Sequence, residues 1–140
     1  LRASPGAIMT AAFKAAALYV VMVFAAGFVL GTLRVLVVEP AFGPVIAVLL
    51  ELPVLLVISW LVCTRIVGWI SIPATTIDRL AMGALAFGLL MIIETLFGLA
   101  FGRPVSEQLS AYATLAGQLG LAGQIGFALV PLIQKFVRSA

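Results

Sequence analysis

Four long apolar runs, each cut short by a brief polar stretch, set the pattern of this chain. The first extends from Ala15 to Val38 and contains one charge, Arg34. The second, Val45 to Val67, holds Glu51 inside and Arg65 at its end. The third, Leu80 to Phe101, contains Glu94, and the fourth, Ala113 to Ile133, has no charge. The hydrocarbon core of a bilayer takes about 20 apolar residues of helix at 1.5 Å each. Each run meets that length. The pattern therefore predicts an all-α membrane protein whose 140 residues form a single domain of four transmembrane helices.

The breaks fit the same reading. "EPAFGP" (Glu39 to Pro44) has two prolines and a glycine that favour a turn between the first two spans. "SIPATTIDR" (Ser71 to Arg79) joins the second to the third, with Thr75 and Asp78 placed to cap the third helix. "GRPVSEQLSAY" (Gly102 to Tyr112) joins the last two and suits a short interfacial turn. Links this short predict an antiparallel bundle. Arg2, Lys14, Arg65, Arg79, Lys135 and Arg138 fall on one side, against Arg103 and a snorkelling Arg34 on the other. The positive-inside bias then puts both termini in the cytoplasm. Lys14 ahead of the first run resembles the start of a signal peptide, but the run exceeds an h-region and no clear cleavage site follows, so it is expected to be retained.

Composition fixes the solvent. Apolar side chains make up 64% of the chain and charged ones 9%, with a mean hydropathy of +1.30. Soluble domains carry about 25% charged residues, and a chain this short has no interior large enough to hide so much apolar surface. The lipid bilayer is the expected partner. The net charge of +3 comes from basic residues scattered singly, with no stripe to engage nucleic acid. Histidine is absent, which removes His-ligated haem, the familiar zinc sites and His-based triads; no metal and no cofactor are expected. The single cysteine, Cys63, allows no internal disulfide and reads as a buried apolar residue.

The polar residues inside the spans are the candidate chemistry. Glu51 lies seven residues after Pro44, roughly 10 Å below the helix end, and Arg34 five residues before Glu39, roughly 8 Å below the same side. Glu94 is roughly 12 Å from that side, and Gln118 and Gln124 roughly 6 and 15 Å below Thr114. An ionisable group at such depth costs several kcal/mol unless paired or turned into protein. Similar depths suggest that Arg34, Glu51, Glu94, Gln118 and Gln124 meet in the bundle centre. One arginine faces two glutamates: if Arg34 pairs with Glu51, Glu94 is left to bind a proton or hold a cation. Pro53 adds a freed carbonyl at Leu49, because proline cannot donate to the residue four before it.

Small residues mark helix contacts. "AGQLGLAGQIG" places Gly117, Gly120, Gly123 and Gly126 three apart, a smooth surface winding round the fourth helix. "GFVLG" contributes Gly27 and Gly31 to the first span. A glycine surface this wide also suits oligomerisation or docking onto a larger membrane complex.

The segments "GFVLGTLRVLVVEP", "LLELP", "RLAMGALAF" and "LGLAGQ" resemble those of small four-span bacterial inner-membrane proteins of unassigned function. The resemblance covers roughly residues 20 to 130 and implies a multi-pass location in the bacterial cytoplasmic membrane, without an activity. Small multidrug-resistance transporters carry their glutamate in the first span, where this chain has Arg34. Fluoride channels have phenylalanine- and threonine-rich signatures in spans two and three that are missing here.

Minimal loops, the lack of a catalytic constellation and the packing glycines together favour a non-enzymatic accessory or assembly component. The alternative is a small oligomeric transporter or channel, coupled to protons or ions through Glu51 and Glu94. A membrane enzyme acting on lipid or quinone ranks third, since no nucleophile or metal set accompanies the carboxylates.

Overall fold

The computed structural model describes residues 4–139, and every element in it is helical. Helix α1 (Pro5–Leu33) runs into a π-helical turn (Arg34–Val38) and a last turn, α2 (Glu39–Phe42). Helix α3 covers Pro44–Ile70, α4 Thr76–Ala100, the short α5 Val105–Ser110 and α6 Leu115–Ser139, with a 3-10 turn (Ala111–Ala113) before α6. Four segments are long and apolar enough to cross a membrane: Met9–Phe42, Pro44–Ile70, Thr76–Ala100 and Leu115–Val137. They contain the first two runs of the sequence and match the other two to within two residues, since Phe101 falls just past the third segment and Ala113 just before the fourth. Arg2, counted above among the basic residues, lies outside the described residues, as does the side chain of Arg138.

Each helix starts where local chemistry lets it. Ser4 caps α1 by accepting from the Ala7 amide at 3.3 Å, with Pro5 in the first turn, so the helix begins ten residues before the expected Ala15. Thr75 caps α4 as expected, its hydroxyl accepting from the Asp78 amide at 3.2 Å while donating to the Asp78 carboxylate. The expected turn at "EPAFGP" is instead helical through Phe42, and the helix is interrupted at Gly43 alone (φ 84°) before Pro44 opens α3. The wider π turn explains this extension. A proline at position 40 would press its ring on the carbonyl four residues back in a regular α-helix, and the extra residue in the turn relieves that clash.

The four long helices form a ring in which α1 packs on α3 and α4, and α6 packs on the same two. Among the described residues α3 and α4 make no close backbone approach, although only residues 71–75 join them. Helices α4 and α6 cross closely. A side chain at Gly83 would run into the Ala128 carbonyl, so only glycine lets the backbones meet there.

Packing is uneven along the bundle. Almost all fully buried apolar side chains belong to one half: Ala15, Ala16, Tyr19 and Val20 on α1, Cys63 and Ile66 on α3, Met82 and Ala86 on α4, Phe127 and Val130 on α6. In the other half, among the described residues, Ala47 and Val48 reach comparable burial, with Val23 and Leu90 near the boundary between the two. That second half contains a cavity.

Candidate functional site: a polar cavity in the loosely packed half

The cavity has a volume of about 260 Å³ and is lined by all four long helices. On α1 the lining residues step back from Arg34 through Gly31, Phe28, Gly27 and Phe24, one face of a 3.6-residue helix. On α3 the corresponding face carries Val48, Glu51, Leu52, Leu55 and Ser59. Helix α4 contributes Leu90 and Glu94, and α6 contributes Gly120, Gly123, Gln124 and Phe127.

Two polar pairs divide the lining. Arg34 Nε lies 2.5 Å from Glu51 Oε2, off the hydrogen-bond axis, so the contact is an ion pair more than a directed bond. The π turn that begins at Arg34 brings Glu39 to the same guanidinium, at 3.8 Å. The Arg34 and Glu51 side chains are 29% and 14% exposed, which keeps the pair near the mouth. On the opposite wall, Gln124 Nε2 donates to Glu94 Oε2 at 2.6 Å. The other amide atom, Gln124 Oε1, is buried without a hydrogen-bond partner.

The floor is built around a proline. Pro131 lies inside α6 and has no N–H to give the carbonyl of Phe127, four residues back. The Tyr19 hydroxyl takes up that carbonyl at 2.6 Å, and its ring stacks on Phe127 with centroids 4.2 Å apart. Ser59, fully buried, donates to Leu55 O at 2.7 Å beside them. Below the floor the packed half is tied by side chains that bond to backbone. Arg79 Nη1 donates to Pro131 O at 3.1 Å, and Gln134 Nε2 donates to Trp60 O and to Thr64 Oγ1, each at 2.8 Å.

A second, smaller cavity of about 70 Å³ lies under α5, lined by Met91, Glu94, Thr95, Gln108, Leu109 and Tyr112 among others. Glu94 is a wall of both. Gln108 holds α5 down by donating to Thr95 O at 3.3 Å and Arg103 O at 2.9 Å, and Gly98 leaves the space in which its side chain lies. Burial, and then the negative charge of Glu94, push the Tyr112 hydroxyl above its ordinary value, so it stays a neutral phenol. About 15 Å³ admits a water, so this cavity has room for water beside Glu94.

Of the five polar residues expected to converge, the structure brings four to one cavity: Arg34, Glu51, Glu94 and Gln124. Gln118 does not join them. It is exposed near the start of α6, because six residues of helix turn it about 120° away from Gln124. The glycines divide into separate tasks. A side chain added at Gly27 would meet Leu55, one at Gly123 would meet Leu52, and one at Gly126 would meet Leu56 at 3.1 Å, so these are helix contacts. Gly117 faces the Ala111 carbonyl of the preceding turn; Gly31 and Gly120, like Gly27 and Gly123, border the cavity, and nothing lies within 4 Å of a side chain added at Gly120. Arg79, counted above among the basic residues that set the orientation, is 4% exposed and bonded into the packed half.

No protein-family model, no curated protein and no solved structure matches the chain. The site therefore rests on its own chemistry. Among the described residues no three histidine, cysteine or carboxylate side chains converge as a metal site would require. The cavity offers a paired cation, an apolar body and a carboxylate bonded only to a neutral amide.

Proposed function

We propose that this small integral membrane protein binds a solute inside its bundle and exchanges it against protons or ions, with Glu51 and Glu94 as the working carboxylates. In this reading the chain is a multi-pass protein of the bacterial cytoplasmic membrane, its successive spans antiparallel and both termini cytoplasmic. The cavity then faces the opposite side. One observation carries the reading: four helices each place polar groups or glycines round a single cavity of about 260 Å³, while the rest of the bundle is closed beneath it. A structural latch between helices needs a paired arginine and glutamate, but it needs no space between them and a second carboxylate. The small cavity under α5 supports the reading, because it has room for water beside Glu94 on the side away from the larger cavity.

The accessory role remains the second reading, supported by the broad apolar exterior. The glycines support it less than their spacing suggested, because Gly27, Gly123 and Gly126 meet leucines inside the bundle. Reconstitution into liposomes tests the choice. With monovalent cations and organic solutes supplied in turn as the exchanging partner, the protein should collapse an imposed proton gradient faster than protein-free liposomes, and Glu94→Gln should remove the difference. Tight liposomes, together with a stoichiometric larger partner after gentle extraction from the native membrane, would favour the accessory role.

A further inference from the structure

We propose that the cavity takes a small amphiphilic monocation, an alkyl- or arylammonium, with its cationic head at Glu94 and Gln124 Oε1 and its apolar body among Phe24, Phe28, Leu52 and Leu55. This rests on the solute-binding reading above and adds the class of solute.

Charge comes first. The lining contains one guanidinium and two carboxylates, so it holds one negative charge in excess when both are ionised. The guanidinium is already engaged by Glu51 and Glu39. Glu94 has no ion pair among the described residues and is bonded only to the neutral Gln124 amide. In a low-dielectric setting an uncompensated carboxylate is relieved by a cation or by a proton, and an anion would add to the imbalance. A ligand that brings one positive charge completes the balance, and a proton on Glu94 is its natural competitor.

The acceptors set the type of cation. Gln124 donates its amide hydrogen to Glu94, which leaves Oε1 buried and without a donor. A primary ammonium would supply donors to both oxygens, whereas a quaternary one would answer the charge alone. A desolvated calcium ion takes six to eight oxygens, and magnesium keeps an octahedral shell. Here most of the wall is leucine, phenylalanine, valine and glycine. Aromatic faces attract ammonium groups, and Phe24, Phe28 and Phe127 all border the cavity. The volume lies near the lower end of ligand pockets, roughly 300–1,000 Å³, so the ligand is small.

The test is equilibrium binding of radiolabelled benzyltrimethylammonium to the full chain in detergent, with unlabelled benzylamine, benzoate, benzyl alcohol and sodium as competitors. Saturable binding displaced by benzylamine, and by benzoate and benzyl alcohol at least tenfold less well, is the expected result. Glu94→Gln should weaken binding at least tenfold, while Glu107→Gln, in the exposed α5, should leave it unchanged. Gly120→Leu, which fills the cavity without removing a charge, should also abolish it and covers the case in which Glu94→Gln fails to fold. Displacement by sodium at the same concentrations would replace the organic cation with an inorganic one and overturn the proposal. If labelled benzoate binds instead and depends on Arg34, the cavity binds solute but its charge preference is reversed. If no probe binds while Glu94-dependent proton flux persists, the ligand class is wrong and the carrier reading stands. Loss of both results overturns both.

Discussion

Tyr19 donates its hydroxyl to the Phe127 carbonyl at 2.6 Å, the carbonyl that Pro131 leaves without a helical donor. The two residues lie on α1 and α6, helices that stand diagonally in the bundle, so this bond closes the centre across the ring. Removing one partner of a buried hydrogen bond costs about 1–3 kcal/mol in soluble proteins, and interhelical bonds within membranes average about 0.6 kcal/mol. Tyr19→Phe should therefore destabilise the protein by about 1 kcal/mol. Pro131→Ala restores an amide at that position, so in its background Tyr19→Phe should cost clearly less. Heating with a thiol-reactive fluorogenic dye provides the readout, because the single cysteine, Cys63, is fully buried until the bundle opens. Equal costs in both backgrounds would show that the proline has no part in the bond.

The Arg34 ion pair gives an asymmetric prediction. Glu51→Gln leaves the guanidinium a second carboxylate, Glu39, at 3.8 Å. Arg34→Gln leaves both carboxylates without their cation. Breaking a fully buried pair from one side costs about 3–5 kcal/mol, and partial exposure of this one lowers that figure. Arg34→Gln should cost about 2 kcal/mol and Glu51→Gln about half of that, with the double variant recovering much of the loss. Thermal unfolding of the four forms checks it, and additive losses would mean that the two side chains do not interact.

Two glycines should respond in opposite ways. A methyl at Gly83 meets the Ala128 backbone, which has no rotamer with which to yield. Gly83→Ala should cost about 1–3 kcal/mol as α4 and α6 separate. Gly120→Ala enters open space and should leave stability within about 0.5 kcal/mol of the parent. The same unfolding assay distinguishes them, and a tolerant Gly83 would contradict the close crossing.

Accessibility tests the one-ended cavity. Cys63 should not react with a membrane-impermeant maleimide in intact membranes. In a Cys63→Ala background, Gly120→Cys should react, and only from the face that carries Arg103. Labelling from the face that carries Lys135, or no labelling at all, would contradict a cavity open on that side.

Much of this was legible in the sequence, and the limits have a single cause. Length and hydropathy suffice to place four spans, and residue counts give depth, so Arg34 with Glu51 and Glu94 with Gln124 could be matched by height. Rotation about a helix axis is another matter. In helices apolar on every side, no polar face marks which residues turn inward, and Gln118 was assigned to the cluster on depth alone. The signal that was available lay in spacing: Phe24, Gly27, Phe28, Gly31 and Arg34 recur at three and four residues, which is one helical face. Glu39 was hidden by the reasonable expectation that "EPAFGP" is a turn, when the π turn carries the helix through it. The burial of Arg79 was not legible because two of its acceptors, the Pro73 and Pro131 carbonyls, are backbone atoms that no residue pattern announces.

Those backbone acceptors make the packed half sensitive to position and nearly indifferent to spelling. Tyr19, Arg79 and Gln134 each grip a carbonyl on another helix, at Phe127, Pro131 and Trp60. A carbonyl is present whatever side chain its residue bears, so at Trp60 the letter can change while the grip survives. Inserting or deleting a single residue between Phe127 and Gln134 cannot be absorbed in that way. It would rotate part of α6 by about 100° and shift it by about 1.5 Å, sliding the carbonyls out of step with the side chains that reach for them. The closed end of this bundle thus behaves like a text with a reading frame, tolerant of substitutions where a residue supplies only its carbonyl and broken by a shift of one.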